Sequence, residues 1–145
     1  FFMPKEFEYF QIGQKGILIR NNKVLIVKLA DQIDIWDLPG GRLDKGEFAD
    51  KAFLREIKEE IGFDDVKNLG VVDYEIWYTA NGTPFCGIAN LIENKIDEIQ
   101  LSFEHTEFKW INEDEINHYK YIWQNMERMI KNGFKYRKLF KQNEQ

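Results

Sequence analysis

Between Gly41 and Phe63 the chain reads GRLDKGEFADKAFLREIKEEIGF, with glutamates at Glu47, Glu56, Glu59 and Glu60, Arg55 among them and a glycine near each end. Glu56, Glu59 and Glu60 are related by i,i+3 and i,i+4 steps, which put them on one face of a helix. Two carboxylates roughly 5 Å apart at an effective dielectric of about 20 repel by about 3 kcal/mol. A helix carries that load poorly unless a cation lies between the charges. Oxygen-only ligands suit a hard divalent ion, Mg²⁺ or Mn²⁺. Such an ion can bridge protein carboxylates to a phosphorylated small molecule.

The glutamates need a helix to hold them, and the pattern supplies one from about Phe48 to Ile61. Ala49, Phe53, Ile57 and Ile61 form its apolar stripe with Leu54 beside them, so this face docks on a sheet. Glu60 borders the stripe, Glu56 and Glu59 continue outward, and Lys51, Arg55 and Lys58 fall on the far side. Gly62 stands where a left-handed C-terminal cap belongs. Ahead of the helix, Leu38-Pro39-Gly40-Gly41 forces a sharp turn that brings the Gly40 and Gly41 backbone close to whatever the helix holds.

Strand-like runs surround this unit. Lys5 to Phe10 alternates charged and aromatic residues, the pattern of an edge strand. Gly16 to Arg20 and Val24 to Ala30 are joined across Asn21-Asn22, a hairpin turn. A polar loop then leads to Trp36. Val66 to Tyr78 and Pro84 to Ile92 form a second hairpin through Asn81-Gly82, and a polar connection from Glu93 to Gln100 follows. Glu104 to Ile111 reads as a strand, Asn112 to Ile116 as a short helical turn, and about Tyr121 to Lys131 as a last helix with Ile122, Met126, Met129 and Ile130 inward.

At 145 residues the chain reads as one domain, 1–145, large enough to bury a core. Its net charge of −5 speaks against general nucleic-acid binding, since phosphate backbones require a basic face. Cys86 is the only cysteine, so there is no disulfide framework, and its apolar surroundings make it a core residue. No apolar run is long enough to span a bilayer and no signal pattern opens the chain, so it reads as cytoplasmic with no membrane partner. Phe1 and Phe2 ahead of Met3 read as additions before a natural start. From Lys131 to Lys141 there are five cations (Lys131, Lys135, Arg137, Lys138, Lys141) and no acid. That makes 131–145 a basic helix end and tail, solvated or laid against RNA, an anionic partner or the acidic body of the protein itself.

The spacing G-x5-E-x7-R-E-U-x-E-E-x-G-U, with U a bulky aliphatic or aromatic residue, is filled at every specified position by Gly41, Glu47, Arg55, Glu56, Ile57, Glu59, Glu60, Gly62 and Phe63. On these residues the chain resembles a Nudix hydrolase. The approach Trp36-Asp-Leu-Pro-Gly40-Gly41 and the later Glu104-His-Thr-Glu107-x-x-Trp110 are also similar to the family's. The resemblance implies an α/β Nudix fold, an α/β/α sandwich with a mixed sheet. It implies a Mg²⁺- or Mn²⁺-dependent hydrolase that cleaves the pyrophosphate of a nucleoside diphosphate linked to another group, by water attack at phosphorus.

By the same resemblance Glu56, Glu59 and Glu60 are the metal ligands, with a backbone carbonyl of the Gly40-Gly41 turn, and Glu56 is the candidate to orient or deprotonate the water. Glu47 and Arg55 are the structural pair that steadies the cluster; an ordinary surface ion pair would be worth only about 0.2–1 kcal/mol. Glu104 is the choice for an additional carboxylate, with Glu107 as runner-up. Neither His105 nor His118 is accompanied by a nucleophile, and both read as surface or packed residues.

For the substrate, Trp36, Tyr9, Phe10, Tyr74, Trp77 and Tyr78 are aromatic faces able to stack on a base, and Arg20 is a strand-end cation within reach of phosphate. Nucleoside triphosphates and nucleotide sugars such as ADP-ribose compete as substrates. A Nudix-like sensing module that binds nucleotide derivatives without turnover is the competing function; such modules often carry eroded motifs, and this one is intact. Homodimers are frequent in the family, but nothing in the sequence singles out an interface.

Overall fold

A computed structural model describes residues 3–95 and 98–143 of the chain. The expectation for Phe1 and Phe2, part of the polar connection after Glu93, and the last two residues of the basic tail lie outside the described residues. The elements in chain order are β1 (Gln11–Arg20), β2 (Lys23–Leu29), β3 (Trp36–Asp37), β4 (Gly40–Arg42), α1 (Ala49–Ile61), β5 (Lys67–Tyr78), β6 (Pro84–Glu93), β7 (His105–Asn112), a 3-10 turn (Glu113–His118) and α2 (Met126–Asn143).

The sheet is mixed. Its strand order is β3-β2-β1-β6-β5, with β4 also paired to β1 and β7 to β2. β1 runs parallel to β6 along its length and antiparallel to β2 and β4. The β1–β2 hairpin turns through Asn21 and Asn22, both with positive φ (49° and 60°), as the Asn-Asn pair requires of a two-residue turn. α1 and α2 cover opposite faces, so the expected α/β sandwich is present.

Alternation explains the two cores. Ile17 and Ile19 of β1 and Val24 and Ile26 of β2 point towards Met126, Met129, Ile130 and Phe134 of α2. Leu18, Leu25 and Val27 point the other way, to Phe53, Ile57 and Ile61 of α1. Strands buried on both faces read as continuous apolar runs. Ile57 is fully buried and its Cδ1 lies against Gly16, where a Cβ would come within 3.2 Å of it. Ile57→Ala is expected to cost about 2–5 kcal/mol through the cavity it leaves. Urea unfolding checks this, and an unchanged midpoint would contradict the facing of α1.

Several expectations are corrected. Residues 5–10 form no strand: the segment lies outside the sheet, and its alternating charges and rings find no partner strand. Ala49 is exposed and Ala52 is buried in its place, because the docked face is centred one step round the helix; Leu54 is 45% exposed. The last helix starts at Met126, not near Tyr121, and runs through the basic stretch to Asn143. Ile122 is 39% exposed. Gly62 does cap α1 in the left-handed region, with φ of 80° and its N–H donated to the Lys58 carbonyl.

Candidate active site

The turn ahead of α1 is laid along β1. Lys15 faces Gly40 and Gln14 faces Gly41 across an antiparallel pairing, and the Gly16 N–H donates to the Pro39 carbonyl at 2.7 Å. Gly40 has φ of 133°, and a Cβ there would collide with the Gln14 carbonyl oxygen, so only glycine fits. Held this way, the turn aims the Gly40 N–H at Glu60, whose Oε2 accepts it at 2.8 Å.

Gly41 serves Glu56 instead. A Cβ at position 41 would sit 2.5 Å from the Glu56 carboxyl carbon, so that carboxyl group lies against the glycine backbone. Gly41→Ala keeps an ordinary backbone and displaces only the Glu56 head group. A displacement of about 1 Å can cost on the order of 100-fold in rate. That loss in kcat, with an unchanged thermal midpoint, is the expected outcome; full activity would mean that the position of Glu56 is immaterial.

Arg55 organises the exposed half of the cluster. Its Nε and Nη2 donate to the two oxygens of Glu47, each at 2.9 Å, a bidentate fork. Its Nη1 donates to both oxygens of Glu59 at 3.1 and 3.0 Å, and Nη2 also reaches Glu56 Oε1 at 3.2 Å. Arg55 therefore does not lie on the far side of the helix: the i,i+4 step puts it over Glu59, and its long side chain folds back across three carboxylates. The Arg55 hydrogen bonds hold Glu47 below its usual range. Glu56 is pushed up, first by burial and further by the charges of Glu59 and Glu104, with Arg55 opposing.

The buried half contains a residue the sequence did not flag. Lys15 Nζ lies 2.8 Å from Asp37 Oδ2 and donates to the Gly40 carbonyl at 3.1 Å. Lys15, Asp37 and Glu60 are 8%, 5% and 6% exposed. Burial alone would lower the Lys15 pKa, but the carboxylates of Asp37, Glu60 and Glu56 more than offset it and raise it. Burial pushes Glu60 up to about 8, opposed by Lys15 and the Gly40 N–H and reinforced by Asp37 and Glu56.

Glu56, Glu59 and Glu60 thus share one end of α1 but serve three different partners. Among the described residues, no three Asp, Glu, His or Cys side chains converge as a ready-made cage. The Gly40 carbonyl, expected as a metal ligand, is engaged by Lys15. Even so, the donor set fits a hard divalent ion: the Glu56 and Glu60 carboxyls lie within each other's field, and both are raised despite the nearby Arg55 and Lys15. A cluster still short of positive charge is what such an ion would relieve. Of the two outer carboxylates, Glu104 acts on Glu56, whereas Glu107 faces Lys28 at 3.7 Å and Lys109 at 3.9 Å.

Next to this cluster opens a cavity of about 500 Å³, lined by Lys15, Asp37, Gly41 and Arg42 and by Trp77, Phe85 and Trp123. The three rings pack against one another with centroids 5.0 to 5.6 Å apart. Lys15 Nζ lies 5.6 Å from the Trp123 ring and the Arg42 guanidinium 5.7 Å from that of Phe85. Gly13 and Gly87 keep the space open beneath the rings, since a Cβ at either would come within 3 Å of them. Aromatic rings with cations beside them in one cavity are suited to a base carrying phosphates.

Of the aromatic candidates, Trp77 lines this cavity, and Phe85 and Trp123 join it without having been singled out. Trp36 does not: it is 2% exposed, packed edge-on to Tyr119 at 5.3 Å and covered by Lys28 and Lys109. The expectation that it contacts substrate is corrected, because no ring face is open. Arg20 is corrected as well. It lies five residues further along β1 from Lys15, between the rings of Phe63 and Trp110, donating to Asn94 O and Oδ1 at 2.7 and 2.8 Å. Arg42, next to Gly41, was the cation within reach.

Comparison with known proteins gives the family and the fold. The family model for the NUDIX domain matches residues 14–133. The RNA pyrophosphohydrolase of Pelagibacter ubique is 31% identical over 117 residues, covering 69% of this chain and 74% of that protein. The RNA pyrophosphohydrolase of Campylobacter jejuni subsp. doylei is 46% identical over 55 residues, but that stretch covers only 38% of this chain and 34% of the relative. Among solved structures, the E. coli ORF135 protein has a TM-score of 0.75 over 90% of this chain and 92% of that one at 19% identity, a likeness of fold.

Proposed function

Since the chain belongs to the NUDIX family, we propose that it is a pyrophosphohydrolase that takes a nucleoside diphosphate linked to a further group, with a nucleoside triphosphate ahead of a nucleotide sugar. The observation that carries this reading is the adjacency of the Glu56–Glu60 cluster to a cavity lined by Trp77, Phe85 and Trp123 together with Lys15 and Arg42. The base packs against Trp77, the partly exposed ring of the three, which the buried Phe85 and Trp123 back, and the phosphates extend past Arg42 towards α1.

Glu56, Glu59 and Glu60, with Glu104, are the residues that would hold Mg²⁺ or Mn²⁺. A divalent ion bound there supplies charge neutralisation on the pyrophosphate and a more acidic water. Glu56, whose pKa burial raises, holds the attacking water and takes its proton as the new P–O bond forms and the bridging P–O bond breaks. Arg55 sets the positions of Glu47, Glu59 and Glu56, and Lys15 fixes the Gly40 turn against which Glu60 is held. Positioning and electrostatics carry the reaction, and no covalent intermediate on the protein is required.

The relatives named RNA pyrophosphohydrolases favour a second reading of the same bond chemistry, a triphosphate at an RNA 5′ end. A panel of nucleoside triphosphates, nucleotide sugars and a 5′-triphosphorylated RNA oligomer, incubated with Mg²⁺ and assayed for phosphate and pyrophosphate, separates the two. Turnover of free nucleotides is expected; turnover of the RNA alone would shift the substrate, and turnover of none with retained binding would indicate a sensing module. No helix among the described residues is long and apolar enough to cross a membrane, and the reading places the reaction in the cytoplasm.

A further inference from the structure

The opposite end of β1 carries a second concave site. Five residues separate Lys15 from Arg20, about 17 Å of extended strand. There a cavity of about 450 Å³ is lined, among the described residues, by four cations, Arg20, Lys95, Arg137 and Lys141, and by one carboxylate, Glu93. An adjoining cavity of about 380 Å³ shares Arg20 and adds Lys23. This concentration of positive charge lies in a chain whose net charge is −5.

The cations are not merely solvated. The Arg20 guanidinium is held between two rings and fastened to the buried Asn94, while Arg137 is only 18% exposed and lies 3.3 Å from Glu93. Glu93 is also the 3.4 Å partner of Lys95, so one carboxylate is shared by two cations. Lys141 comes in from the last turn of α2. Like charges fixed around a concavity raise the local potential and draw an anion into it. The lining is polar, with Asn21 and Asn22 on its rim, and offers no aromatic wall for a base.

We infer that this cavity is a second anion site, distinct from the substrate cavity, which takes a compact oligophosphate. Guanidinium and ammonium donors at several points match a chain of phosphates rather than a single carboxylate.

The test is calorimetric titration of inorganic tripolyphosphate into the full chain at low salt with EDTA present. Saturable binding is expected, weakening as salt is added. Lys95→Glu combined with Lys141→Glu is expected to lower the affinity at least about tenfold, as reversal of two nearby charges should. Arg42→Glu, at the substrate cavity, should leave it unchanged, and circular dichroism confirms that the variants fold. Absence of binding, indifference to the paired lysine reversal, or loss through Arg42→Glu instead would each overturn the inference.

Discussion

Glu60→Gln is expected to reduce turnover by at least about 1000-fold while the metal-free protein at pH 8 becomes more stable. The loss follows from removing a charge aimed at the reacting phosphates, where single electrostatic groups are worth on the order of 100- to 1000-fold and a ligand carboxylate adds to that. The gain follows from burial. Glu60 is 6% exposed, and its pKa is pushed up to about 8, so the folded protein holds the proton more tightly than the unfolded chain does. Glutamine keeps a carbonyl oxygen to accept the Gly40 N–H.

The sign of the pH effect is therefore fixed. For a carboxyl group raised on folding, the stabilisation is complete below the unfolded value near 4.5 and is lost as pH rises through 8. Urea unfolding in EDTA at pH 5 and pH 8.5 should show the parent falling by on the order of a few kcal/mol relative to Glu60→Gln. Equal pH dependence in the two proteins would mean that Glu60 ionises freely. A variant with substantial residual turnover would remove Glu60 from the reaction.

Lys15→Met is expected to be the most destabilising single change in the site. It leaves Asp37, 5% exposed, without its 2.8 Å partner and removes the cation beside Glu60. Breaking a buried pair from one side costs about 3–5 kcal/mol, because the remaining charge is neither solvated nor compensated. Adding Asp37→Asn should recover part of the loss, since it removes the stranded charge, and Lys15→Arg should lose less than Lys15→Met. Chemical denaturation of the parent, Lys15→Met, Asp37→Asn and the double variant closes a double-mutant cycle, with Lys15→Arg measured beside it; a loss below about 1 kcal/mol for Lys15→Met would show that the pair is solvated.

The same residue shows where the sequence was legible and where it was not. Glutamates at i,i+3 and i,i+4 steps, a glycine cap and an apolar stripe are local signals, and α1 follows them to within a residue. Lys15 gives no such signal: it is one lysine in a strand, and only the pairing of β1 with the Gly40 turn brings it to Asp37 and Glu60. Arg55 was placed on the far side although its i,i+4 step to Glu59 was legible; only the reach of its head to Glu47 and Glu56 needed the structure. Trp36 was offered to a substrate on its type and proximity to the motif, yet on the short strand that ends the sheet it is covered by Tyr119, Lys28 and Lys109 and belongs to the core. The rings that do line the cavity come from β5, β6 and the turn before α2, a convergence set by sheet order. The glutamate helix was thus legible, and the wall that faces it was a property of the fold.

The most direct test is diffraction from crystals soaked in Mn²⁺ with a non-hydrolysable nucleoside triphosphate analogue, recorded at a wavelength where manganese scatters anomalously. An anomalous peak between the Glu56 and Glu60 carboxylates, with the analogue's base against Trp77, is the predicted result. Occupied analogue with no peak at those carboxylates, or manganese bound elsewhere, would contradict the assignment of α1 as the metal-gripping element.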